Sequence, residues 1–434
     1  MKVKDHHGLE LTGASAAAAG LYQKALDAYH CYAGDAMTPL AAALSESPGC
    51  VMGYVLQAWM TLIGSNAETA AMGAQAFAVA KDLPGANARE QGHLAAIGSL
   101  LAGEVRTAAR LLEDVNLAWP RDVLALQVGQ TLDFLLGDAR MLRDRIVRVL
   151  PAWTADTPGW HAIQGLLSFG YEEAGDYARA EACGREAIAL QPRNNWAQHG
   201  VAHALLMQGR HADGVRWMRH ENEAWQAEAM LGVHNWWHTA LFHIGLGETE
   251  EVLRLYDGPI YGAATTFSFD MVDAAAMLWR LKLAGVDVGD RWAGLADNFA
   301  REPAGLSAFV DTHAMMAYVG AGREAQARAL LETQSAALNG PGDNAYFVRE
   351  VGQPAIQALH AFGQGRYGQA TDLLRGLRGK HHRFGGSHAQ RDVLDLTLLS
   401  AARLSGDDSL HAALLAERDG AQPLTTPKTP AIAA

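Results

Sequence analysis

Two histidine pairs carry the chemistry of this chain: His199 with His203 in "QHGVAHALL", and His234 with His238 in "GVHNWWHTALFH". Each pair is spaced i,i+4, which puts its two imidazoles on one helix face about a turn apart. Neutral imidazoles so placed can hold a divalent metal, zinc being the first candidate for nitrogen-rich ligation, although no metal is required. "HGVAH" and "HNWWH" lack the glutamate of an HExxH helix, so a metalloprotease is not expected. Without a metal, histidine and aspartate can act as general acid and base, because histidine titrates near neutrality. His238 or His203 would be the base, Asp270, Asp273 or Asp311 would orient a ring, and Arg391 would hold an anionic group through its planar fork.

Helical hairpins must position these groups. With His161 as position 1, Tyr171, Gly175, Tyr177, Ala180, Ala187 and Pro192 fall at positions 11, 15, 17, 20, 27 and 32. That is the tetratricopeptide pattern, with small residues where two antiparallel helices cross and a proline closing the second helix. Gly103, Gly137, Gly209, Gly247, Gly285, Gly322 and Gly365 mark the ends of further first helices, where a left-handed cap is needed. No stretch alternates with period two, so no strands are expected. The expectation is all-α: one continuous α-solenoid of about ten helix pairs over residues 1–420, wound into a superhelix, with a flexible tail over 421–434.

The register also gives directions. His199 and His203 occupy positions 5 and 9 of a unit starting at Asn195, and His234 and His238 positions 2 and 6 of one starting at Val233. At about 100° per residue these fall within one wedge on first helices, the wall that faces the ligand in such domains. All four imidazoles are therefore expected in one groove, with His313 nearby. His243 reads as a core histidine, Trp237 as interhelical packing, and Trp196 and Trp236 as packing or a pocket wall. Ser387 reads as the N-cap of a helix beginning at His388.

"HxxxH", "HNxWH", "DxH" and "GGSxAQRD", in that order, give the chain its resemblance to the tetratricopeptide repeat protein 38 family, which extends over nearly all residues up to about 420. The resemblance implies histidines at His199, His203, His234, His238 and His313, acids at Asp270, Asp273, Asp311 and Asp392, and a role for Gln390 and Arg391. Asn235 belongs to the "HNxWH" motif. His388, often asparagine in that family, and His243 depart from the pattern. The family implies a fold and leaves the activity open.

Composition bounds the function classes. The net charge of −12 argues against a nucleic-acid partner, since nothing neutralises a row of phosphates. Cys31, Cys50 and Cys183 have no metal-type spacing and fit a reducing cytoplasm. The polar start "MKVKDHHGLE" is not a signal peptide, and no apolar run is long enough for a bilayer, so no membrane partner is expected. Polar groups on apolar helices must be networked, bind something, or both. The sequence therefore supports four readings: a structural network, a pocket for a small polar or anionic ligand, an acid–base or metal-assisted hydrolase-type enzyme, and a scaffold for a peptide or protein partner. In the enzyme reading His203, His238, Asp311 and Asp270 are catalytic, and His199, His234, Asn235, Asp273, His313, Gln390, Arg391 and Asp392 bind the ligand.

Overall fold

A computed structural model describes residues 2–63, 67–220, 222–226 and 229–421. Among them the chain is all-α, built of antiparallel tetratricopeptide-like helix pairs, and its only β pairings are the isolated bridges Lys4–Glu10 and Ala33–Ala229. No helix among the described residues is long and apolar enough to cross a membrane. Residues 422–434, nearly all of the expected tail, lie outside the described residues.

The chain divides into two compact units where the sequence shows no interior linker. The first comprises Met1–Ala204 and Arg219–Gly232, the second Leu205–Met218 and Val233–Ala434. The helices that position the functional groups are α1 (Ala16–Cys31), α2 (Ala88–Leu101), α3 (Val123–Leu135), α4 (Trp160–Glu173), α5 (Tyr177–Leu190), α6 (Asn195–Met207), α7 (Gly232–Leu246), α8 (Ser268–Leu283), α9 (Ala308–Gly320) and α10 (His388–Leu404).

The α4–α5 hairpin shows why the repeat pattern works. Gly175 turns the chain at φ 80°, a conformation open to glycine at little cost. Asp176 caps α5 through the Arg179 N–H, and Ala180 and Ala187 are fully buried at the crossing. Close approach also needs Gly170, where a Cβ would sit 2.5 Å from the Leu142 carbonyl oxygen. The glycines expected to end first helices, Gly103, Gly137, Gly209, Gly247, Gly285, Gly322 and Gly365, all have positive φ.

In the first unit, the segment before and through α1 adds contacts that a stack of hairpins does not need. The Thr12 N–H donates to Glu90 on α2, and Arg89 donates to the Glu10 carbonyl. Gln127 on α3 donates to the Tyr29 carbonyl and pairs with His30. Tyr32, at φ 50°, is in the left-handed region that a bulky side chain rarely enters. Its carbonyl accepts from Asn195 Nδ2 at 3.2 Å and from the Met230 N–H at 3.0 Å. The same unit buries a bidentate pair, Arg145 with Asp133, at 2.7 and 2.9 Å.

Candidate functional site

In the first unit, α6 starts because Pro192 cannot extend the preceding helix and Asn194 caps the next, accepting from the Ala197 N–H at 3.0 Å. Asn194 also donates to the His161 carbonyl, tying α6 to α4. The cap sets the rotation that presents His199 and His203 together, with ring centroids 4.3 Å apart and nearly edge-on. Phe169 on α4 lies 5.3 Å from each ring, and Trp196 lies 5.0 Å from His199. Glu172, one turn beyond Phe169, brings Oε2 to 3.4 Å from His203 Nδ1, and neither side chain is exposed. A carboxylate there can pair with the ring when the ring carries a proton on that nitrogen.

His93 has different surroundings. Trp59 Nε1 can only donate, so its 3.1 Å bond to His93 Nδ1 makes His93 Nε2 the donor to Asp122 at 2.9 Å. Arg89 completes the group at 3.0 Å. Burial acts to raise the Asp122 carboxyl, but the pull of His93 and Arg89 holds it well below the usual carboxylate range. Both ring nitrogens of His93 are therefore spent on a buried structural network.

In the second unit, α7 carries His234 and His238, with rings 4.8 Å apart and edge-on. Trp237 stacks on His234 at 5.3 Å and 12° and is fully buried, as its packing assignment requires. His234 Nδ1 meets Asp273 Oδ2 on α8 at 2.8 Å. Asp270 lies one turn earlier on α8, and its carboxyl is pushed up to about 7, first by burial and then by the Asp273 charge, with His234 opposing. A carboxyl that titrates near neutrality beside a histidine–aspartate pair can give or take a proton where an ordinary aspartate cannot. Asn235 is buried on the same helix, and its carbonyl accepts from Thr239. His243 is a core residue, its ring buried and Nδ1 held by Glu248.

The remaining expected residues have other surroundings. Asp311 and His313 are two residues apart on α9 and so face roughly opposite ways. Asp311 accepts from the Gly305 N–H at 3.0 Å and from Gln334 at 2.8 Å. This departs from the expected ring-orienting role: its oxygens tie down the loop before α9. Burial pushes its carboxyl up to about 6 against those two bonds. His313 Nδ1 donates to the Phe309 carbonyl at 2.8 Å, and burial pushes the imidazole down to about 4, so the ring is neutral. Ser387 and Gln390 form a capping box at the start of α10, which begins at His388 as the sequence indicated. Gln390 is thus engaged with its own helix, and Asp392 pairs with Arg418 at 2.6 Å. Arg391 is buried and donates to the Gly386 carbonyl.

Two groups at these sites were not anticipated. Glu172 lies in a helix buried continuously from Ala162 to Glu173, and an acid in such a stretch needs a partner. Arg280 follows Asp270 and Asp273 by ten and seven residues, which puts all three on one stripe of α8. That spacing was the available signal.

No protein-family model matches the chain. Among solved structures, it is similar to a human IFIT1 dimer with PPP-AAAA (13% identity, 92% of this chain and 88% of that one, TM-score 0.39). It is also similar to a human IFIT1 dimer with m7Gppp-AAAA (14% identity, 93% of each chain, TM-score 0.41). A third match is an IFIT1 monomeric mutant with Gppp-AAAA (14% identity, 93% of this chain and 90% of that one, TM-score 0.41). The exclusion of nucleic-acid partners drawn from the net charge is withdrawn: a charge summed over the whole chain does not decide the matter. An overall acidic balance does not preclude a local phosphate site. The likeness concerns the fold: an all-α chain of tetratricopeptide-like helix pairs.

Proposed function

We propose that this chain is a ligand-binding protein of the tetratricopeptide repeat protein 38 type, whose histidine and aspartate groups take a small polar or anionic molecule and perform acid–base chemistry of the hydrolase kind on it. The observation that carries this reading is Asp270, with its carboxyl pushed up to about 7 beside the 2.8 Å His234–Asp273 pair. A structural network gains nothing from a carboxyl held half-protonated near neutral pH, whereas proton transfer is most efficient there. In this reading Asp270 exchanges the proton, and Asp273 fixes the His234 ring. His238 lies within one ring contact of His234, and His203, backed by Glu172, is the corresponding base of the first unit.

Small esters, amides and hydroxy acids would be screened with the native chain, with Asp270→Asn and with a His203→Ala, His238→Ala double variant. The expected result is turnover that falls at least a hundredfold in Asp270→Asn, with a native pH–rate limb near 7 that this variant lacks. Equal background rates in all three, with no bound small molecule, would leave a scaffold for a protein or peptide partner as the better reading.

A further inference from the structure

Arg280 is a buried cation with no ion pair among the described residues. It is 6% exposed and lies on α8 in the second unit, with its guanidinium carbon 5.3 Å from the centre of the Trp237 ring. Two of its five N–H groups are used, by the Ala276 carbonyl at 3.2 Å and the Ala389 carbonyl at 2.6 Å. Among the described residues it makes no ion pair: Asp273 pairs with His234 and Asp392 with Arg418. Burial lowers its hold on the proton to about 10, with Arg418 adding to the effect and the more distant Asp392 and Asp273 charges opposing it. Two carbonyl bonds, a tryptophan face and two carboxylates already paired elsewhere compensate a guanidinium only in part, and a buried charge so placed is costly.

A second group of the same unit points the same way. His313 is 1% exposed, and because a carbonyl oxygen can only accept, its bond to Phe309 fixes the proton on Nδ1. Nε2 is then a buried acceptor, and nothing among the described residues bonds to it. The helices α8 and α9 pack together, and the Arg280 charge is one of those that act on His313. A guanidinium short of an anion and an imidazole short of a donor together define what is missing: a molecule with a negative oxygen and an N–H or O–H.

We propose that Arg280 and His313 form the anion end of a ligand site in the second unit, taking a small hydroxycarboxylate whose carboxylate lies on the guanidinium and whose hydroxyl donates to His313 Nε2. The stripe on α8 then has a sign at each end. Asp273 lies about 10 Å and Asp270 about 15 Å along the helix from Arg280, so a small hydroxycarboxylate fills only the anion end, and a molecule that also reaches the acids must be longer. This deepens the proposed function and rests on it for the acid end of the stripe.

Saturation-transfer NMR on the full chain would use lactate, glycolate and malate, with propionate as the ligand lacking the hydroxyl. At least one hydroxy acid is expected to receive saturation from the native chain and from Asp270→Asn. The signal should need at least tenfold more ligand in Arg280→Met, and His313→Phe should erase the preference for lactate over propionate. Thermal melts of Arg280→Met should stay close to native, because a structural tie would instead leave it markedly less stable. If that variant does not fold, Arg280→Lys keeps the charge and loses the fork, and native affinity in it would overturn the subsite. No hydroxy acid bound by the native chain, or native binding by Arg280→Met, overturns it outright. Binding lost in Asp270→Asn but kept in Arg280→Met sinks the subsite and leaves the acid–histidine reading standing. Binding through Arg280 without any turnover does the reverse.

Discussion

Replacing Asp270 by Asn should stabilise the protein at pH 8 and leave it unchanged at pH 4. The folded chain keeps the Asp270 proton up to about pH 7, whereas an unfolded chain releases it near 3.8. Between those values the folded state binds more protons, so stability falls as pH rises and levels off above about 7. At ~1.4 kcal/mol per pH unit the full span corresponds to ~4 kcal/mol. Solvent at a side chain that is only partly buried reduces this to ~2 kcal/mol. Asparagine has no charge to desolvate, so its stability relative to native should climb from zero near pH 4 to ~2 kcal/mol above pH 7. Asp311 also rises, to about 6, but it is present in both proteins and cancels in the difference. The assay is urea unfolding of both proteins at half-unit pH steps, read as the difference in midpoint. A variant less stable than native by the same amount at every pH would refute the reasoning, because it would mean that the carboxylate is compensated and contributes an ordinary hydrogen bond. A stabilised variant that has also lost turnover would show a site held at the expense of stability.

Asp133→Ala should destabilise the first unit by ~3–5 kcal/mol, because it strands the buried Arg145 guanidinium; a chemical melt within 1 kcal/mol of native would contradict this. Tyr32→Gly should be more stable than Tyr32→Ala by ~1 kcal/mol, since both lose the ring and only alanine keeps the left-handed strain; the order of the two urea midpoints decides it. Gly170→Ala should cost at least ~1–3 kcal/mol, because its Cβ would meet the Leu142 carbonyl oxygen, which cannot rotate away; an unchanged melting curve would show that the two helices can separate freely.

The hairpins were legible because their signals are local. Gly175 and Ala180 report a turn and a crossing within one repeat, and the same spacing located the other positive-φ glycines. The i,i+4 histidines were legible for the same reason, and the stack of His234 on Trp237 follows from α7 alone. What each histidine meets across a helix interface was not, because partner choice depends on packing that no spacing rule encodes. Glu172 reads like a solvated acid beside Glu173 until α4 is seen to be buried along its length. Asp311 shows the opposite error. It resembles Asp273 in sequence, yet two residues of helix turn it away from His313 and toward Gly305. Arg280 was hidden among ordinary helix-terminal cations, and only its burial separates it from Lys282.

The long reach of the N-terminal segment has a consequence for how the first unit acquires its structure. A repeat array can assemble from neighbour to neighbour, each hairpin docking on the last as it leaves the ribosome. Here Thr12 must find Glu90, Tyr29 must find Gln127, and the Tyr32 carbonyl must find both Asn195 and Met230. The last of these partners is synthesised about 200 residues after Tyr32, roughly 10–40 s later at ordinary elongation rates. The helix Met37–Glu46 covers much of the apolar face of α1 as soon as it is made, but the Tyr32 carbonyl waits the whole interval for Asn195 and Met230. High contact order slows the search and extends the exposure. The hairpins of the first unit can form as they are made, but its N-terminal closure is completed only after Met230 emerges, and until then the chain is more exposed to aggregation.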